Sequence, residues 1–274
     1  MMLNSGSLGK ASIVLAVLIF LFPSSFYASD TATSARKVVE KSSSAVATIK
    51  VFIKQRVIFG GRDMDKYENV FEMPSTVIAP SGLAVTSLSR MDPTGTFKEL
   101  LKQVPGAQAN TGFDIASEIT GIKMVLYDGQ EVPAEIVMRD SDLDLVFISP
   151  TEKLTVPFID LSDATTPKIL EEVIVLGRLE HVPGRITSAA LYRVEAVIEK
   201  PRVIYVLNSE ALTSRLGSPV FSENGKIVGV LVLKVVKTQT QGFNIMSGMP
   251  GMMAVIMPAG DILQTAEQIH AAPK

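Results

Sequence analysis

An all-β fold of two successive six-stranded antiparallel barrels, closed by a C-terminal helix, is what this sequence predicts. Three observations predict it. Short runs of alternating or β-branched residues fall into two groups of about six, each run bounded by Pro, Gly or Asp. Helical patterns do not alternate with these runs, as a parallel α/β sheet would require. Asp-Gly and Asn-Gly pairs sit between apolar runs, where a tight hairpin turn needs residues that accept positive φ. The chain has 274 residues, 47% hydrophobic and 20% charged, which is ordinary globular composition and length enough for such a pair.

The first element, residues 1–29, reads as a signal peptide or N-terminal anchor. Lys10 is the only charged side chain before Asp30, and it precedes the apolar run Ala11–Phe22. That run is shorter than the roughly 20 residues of a membrane helix and suits a signal-peptide core. Export to the periplasm or beyond is therefore expected. Cleavage would fall after Ala28, although Phe26 stands where a small residue is preferred; the alternative is that residues 11–22 stay as a membrane anchor. Residues 30–44 read as a linker, polar over Ser29–Ser34, with a short helix at Ala35–Ser42.

The first barrel is assigned to residues 45–164. Its strands are Ala45–Ile53, Ser75–Ile78, Leu83–Ser87, Ile122–Tyr127, Glu131–Met138 and Asp144–Ile148, with a hairpin at Asp128-Gly129. The stretch Asp92–Ser117, polar and punctuated by Gly and Pro, reads as an insertion loop with a short helix at Thr96–Val104. The second barrel, residues 165–258, takes Val173–Gly177, Arg185–Val197, Val203–Leu207, Pro219–Ser222, Lys226–Val236 and Met252–Met257, with a hairpin at Asn224-Gly225. Residues 259–274 form a terminal helix and tail, with Ile262, Leu263, Ala266 and Ile269 on one face. Closure into barrels removes the exposed edges that so many short strands would otherwise leave.

Charge and composition exclude several functions. The 26 basic and 28 acidic residues leave a net charge of −2, with no run of five like charges, so no nucleic-acid partner is expected. With no cysteine there is no disulfide, thiolate metal site or thiol nucleophile. Of the two histidines, His181 lies in Glu180-His181-Val182-Pro183 without a second ligand at metal spacing, and His270 lies in the terminal helix. Neither a metal nor a cofactor is expected.

Five local patterns, in order over Arg36–His270, resemble one family. They are Ile78-Ala79-Pro80-Ser81-Gly82-Leu83-Ala84-Val85-Thr86, then Tyr127–Val137 (YDGQEVPAEIV) with Arg139-Asp140 and Asp142–Val146. Next come Val175-Leu176-Gly177 with Arg185–Leu191 (RITSAAL), and Ser214–Val220 (SRLGSPV) with Asn224–Val230. The last is Ala254-Val255-Ile256-Met257-Pro258. Together they are similar to HtrA/Deg-type trypsin-like serine peptidase domains. The resemblance implies the chymotrypsin-like double barrel, with catalytic groups in the cleft between lobes. It also implies a departure: the histidine position falls at Ser89, the serine position at Leu216, and only the aspartate is kept, as Asp144. The seventeen residues Pro258–Lys274 are too few for the PDZ module that such proteins often carry, so none is expected.

Leu216 has no atom that can attack a carbonyl, and the Ser89 hydroxyl is a weak base near pH 7. Ser214 replaces the glycine that would donate to an oxyanion, and its Cβ restricts the backbone there. The expected function is therefore a protease-fold protein without protease chemistry, holding a peptide or protein segment in the cell envelope. Ser214, Gly217 and Ser218 line the candidate binding surface. So do Met246, Met249 and Met252, whose flexible thioethers suit an adaptable apolar surface. The alternative is an active endopeptidase with a relocated or misaligned nucleophile, for which Ser214 and Ser218 are the neighbouring hydroxyls. Oligomeric state is left open.

Overall fold

Alternation along each strand turns one row of side chains inward, and two closed sheets result. The computed structural model describes residues 28–96, 98, 113–179, 184–208, 212–235 and 252–271. The first barrel comprises β1 (Val46–Phe59), β2 (Arg62–Val77), β3 (Ala84–Ser87), β4 (Phe113–Val125), β5 (Glu131–Asp140) and β6 (Leu145–Pro150). It closes in the order β1-β2-β3-β6-β5-β4. The second comprises β7 (Glu172–Arg178), β8 (Thr187–Ile198), β9 (Ile204–Leu207), β10 (Pro219–Ser222), β11 (Ile227–Val235) and β12 (Met252–Pro258), and closes in the order β10-β11-β12-β9-β8-β7. Both barrels and the terminal helix, Ala259–Ala271, match the expected architecture.

Ile49, Val51, Met73, Met124 and Ile148 fill the first barrel, and Val175, Val220, Leu231 and Ile256 the second. A third cluster lies between the lobes and draws on both, including Val85, Leu145 and Phe147 from the first and Ile174, Val230, Val255 and Met257 from the second. The terminal helix adds Ile262 and Ala266 to it. Strand β6 is buried at five of its six positions because one face looks into its barrel and the other onto this seam.

Three expectations are corrected. Strands β1 and β2 run far beyond Ala45–Ile53 and Ser75–Ile78, turning at Gly60-Gly61, which take φ of 55° and 77°. Their outer halves escaped notice because they lack a buried face; charges pair across them instead, as in Lys54 to Glu68 at 3.2 Å. The stretch Phe113–Ser117, expected in a loop, belongs to β4 and pairs with Gln55–Phe59. Most of the helix expected at Thr96–Val104 lies outside the described residues. Finally, the linker Ser29–Ser34 is helical, part of a helix spanning Ala28–Ser42 that is anchored by buried Val38 and by Ala35 and Val39 against the interlobe core.

Candidate functional site

The loop from β5 to β6 delivers Asp144 to the cleft. Asp140 Oδ1 accepts from the amides of Asp142 and Leu143, each at 3.0 Å, which folds the loop back. Asp144 then takes φ of 58°, a left-handed conformation that aspartate tolerates better than most residues, and its carboxylate turns inward.

Four donors meet that carboxylate. Oδ1 accepts from Ser89 N and Ser89 Oγ, both at 2.6 Å. Oδ2 accepts from Ser87 Oγ at 2.5 Å and from Leu233 N, on the facing strand β11, at 2.7 Å. Ser87 also caps the helical turn Leu88–Met91, accepting from Arg90 N. Burial raises the Asp144 carboxyl above its ordinary value, opposed in part by the hydrogen bonds from Ser87, Ser89 and Leu233. Ser89 and Asp144 are thus brought together, the serine hydroxyl donating to the carboxylate.

Across the cleft, Thr213–Arg215 forms a 3₁₀ turn in which Arg215 N donates to Leu212 O at 2.9 Å. Leu216 follows, 3% exposed, with its side chain buried rather than presented to the cleft. Gly217 takes φ of 94°, and a Cβ there would lie 2.1 Å from Thr86 Oγ1 and 2.2 Å from Pro74 O. Only glycine fits, because the segment lies directly on the first barrel. Thr76 Oγ1 donates to Gly217 O at 2.9 Å and fixes this approach. Ser218 N donates to Arg215 O at 3.0 Å, while its fully buried Oγ has no partner among the described residues.

The other residues singled out in the sequence are placed as follows. Ser214 and Ser218 line a pocket of about 250 Å³ together with Pro74, Gly177, Arg178, Leu179, Ser188 and Arg215. Met252 opens β12, paired with Val235. His270 lies in the last turn of the terminal helix. Met246, Met249 and His181 lie outside the described residues. Sequence reasoning missed Ser87, Leu233 and the residues Arg178, Ser188 and Arg215. Only Ser87, two positions before Ser89 at a strand-to-helix junction, carried a local signal, that of an N-cap.

The family model described as a trypsin-like peptidase domain matches residues 75–230, more than half of the chain. A Bartonella henselae protein named a probable periplasmic serine endoprotease DegP-like is 26% identical over 161 residues, covering 58% of this chain and 30% of that protein. The Bacillus subtilis serine protease Do-like HtrA is 22% identical over 168 residues, covering 58% of this chain and 35% of that protein. The match thus spans about a third of the length of these relatives.

Proposed function

This chain belongs to the trypsin-like peptidase domain family, and from that premise we propose that it is a pseudoprotease, a binder of peptide or protein segments that does not cut them. One observation supports the reading most: Leu216, which the order of motifs aligns with the family's serine, is buried. The fate of Asp144 supports it. In a working triad the carboxylate orients an imidazole, which in turn takes the proton of the nucleophile. Here both carboxylate oxygens are taken up by Ser87, Ser89 and Leu233, and the Ser89 hydroxyl has little basicity to offer. Loss of the serine or histidine of such a triad costs on the order of a million-fold in turnover.

Binding does not need the triad. Strand β10 covers β11 only as far as Val230, and the Leu233 amide is already taken by Asp144, so among the described residues the end of β11, Lys234 and Val235, is the part left as a strand edge. Addition of an extended peptide to such an edge uses backbone pairing for affinity and side-chain pockets for choice. The apolar run at residues 11–22 and the periplasmic relative favour action in the cell envelope. No helix among the described residues is long and apolar enough to cross a membrane.

The test uses fluorescein-labelled casein and a fluorophosphonate probe on the full chain. We expect a saturable rise in casein anisotropy with no new fragments and no covalent labelling. Fluorophosphonate capture at Ser89, Ser214 or Ser218, lost when that serine is changed to Ala, would establish an active enzyme instead.

A further inference from the structure

The pocket beside Leu216 gathers hydrogen-bond donors around one point. Gly177, near the end of β7, leaves that point open: a Cβ there would stand 3.3 Å from Ser188 Oγ, 3.3 Å from Ser218 Oγ and 3.5 Å from an Arg215 guanidinium nitrogen. Arg215 Nη1 reaches Ser188 Oγ at 3.4 Å. Behind it, the Arg178 guanidinium donates to three main-chain carbonyls, Val46 O at 2.6 Å, Arg185 O at 3.2 Å and Ser43 O at 3.3 Å.

Arg56, Arg185, Arg193 and Arg202 each lie within 4 Å of a carboxylate, whereas among the described residues none pairs with Arg178 or Arg215. Burial holds Arg178 below its ordinary value. The Arg215 guanidinium and a fully buried hydroxyl, Ser218 Oγ, which has no partner among the described residues, therefore line the same small space, with Arg178 bound to carbonyls at its wall. A buried polar atom left unsatisfied in a native fold calls for an explanation, and an absent ligand is one.

We propose that this pocket binds a peptide carboxylate, either a chain terminus or an Asp or Glu side chain, through Arg215, Ser188 and Ser218. A planar guanidinium matches the two oxygens of a carboxylate, and the hydroxyls add donors at its flank. At about 250 Å³ the pocket falls below the roughly 300–1,000 Å³ of sites that enclose whole small molecules, so it suits one residue of a longer ligand. It is lined by Ser214 and Arg215, which precede Leu216 in the chain, and by Pro74 of the first barrel, so a chain lying in the cleft could drop one group into it. The inference rests on the peptide-binding reading and assigns that reading its anchor.

The experiment follows backbone amide shifts of the full chain during titration with small carboxylates, which have no strand to add to β11. N-acetylglycine stands for a chain terminus and N-acetylglutamate methylamide for a side chain; N-acetylglycinamide, N-acetylglutamine methylamide and inorganic phosphate are the comparators. Saturable shifts at Gly177, Ser188 and Ser218 are expected with a carboxylate and not with its amide, and the responding carboxylate identifies the source. Arg215→Gln should weaken binding roughly tenfold or more, as expected for loss of a charged hydrogen bond. Ser218→Ala should weaken it several-fold while leaving Tm unchanged or higher, since the hydroxyl stabilises nothing in the free protein. Equal response to acids and amides, phosphate as the sole ligand, or carboxylate affinity in folded Arg215→Gln and Ser218→Ala equal to that of the unaltered protein would overturn the proposal. Casein binding that persists with silent carboxylates would refute the anchor and leave the cleft reading standing.

Discussion

Each oxygen of Asp144 accepts one main-chain amide, Ser89 N on Oδ1 and Leu233 N on Oδ2, and this constrains what can replace it. Serine hydroxyls can rotate to accept, but backbone amides cannot. Asp144→Asn would therefore set its own NH₂ against a fixed N–H in either orientation. The unmet donors should cost about 1–3 kcal/mol of stability, read as a lower urea midpoint with unchanged m. The pH dependence has a definite sign. Burial raises the folded carboxyl, so the folded state holds its proton more tightly than the unfolded chain. The resulting stability is present below the ordinary carboxylate range and is lost as pH rises through the raised folded value. The gap between the unaltered protein and Asp144→Asn should narrow over that window; a gap that widens would mean that the four hydrogen bonds outweigh burial.

Among the elements, the ribbon formed by β1, β2 and β4 shows most clearly what sequence pattern reveals and what it hides. Beyond Val51 the strand β1 is flanked on both sides, by β2 and by β4, as far as Phe59, whereas β2 has its second neighbour, β3, only at Thr76 and Val77. Alternate amides of β2 between residues 62 and 73 thus point away from the sheet. In native-state hydrogen exchange these should exchange quickly, while consecutive amides of β1 from Val51 to Phe59 stay protected; uniform fast exchange would show that the ribbon opens. Its outer edge carries charges such as Lys66 and Glu68, which discourage pairing with other chains. The barrel strands were legible because one face is apolar and buried, and period-two alternation follows from that. The ribbon was not, since paired charges erase the alternation. At the site, the order of local motifs singled out Ser89 and Asp144, and the fold brings these two into contact. The pocket could not be read that way: Ser188 and Arg215 stand 27 residues apart, and only the folded second barrel brings them together.

At the scale of the whole molecule, the seam between the lobes decides whether the cleft is a fixed surface. The interlobe core joins Phe147 and Leu145 of the first barrel to Val230, Val255 and Met257 of the second, with the terminal helix packed onto it. Polar ties cross the same seam: Thr76 to Gly217 at 2.9 Å, Leu233 to Asp144 at 2.7 Å, and Arg185 to Glu72 through two hydrogen bonds of 2.6 and 3.1 Å. The proposed peptide binding would gain affinity from a preformed groove, because ordering the groove on binding would consume part of the interaction energy. The lobes should accordingly unfold as one unit. Phe147 is fully buried, and Phe147→Ala removes a large side chain from the shared core, at a cost of about 3–5 kcal/mol. If the seam couples the lobes, this substitution lowers the protection of β5 in the first barrel and β8 in the second by the same free energy, with a single far-UV transition at a lower Tm. Loss confined to the first barrel, or two separate transitions, would mean that the lobes are independent and that the cleft between them is free to open.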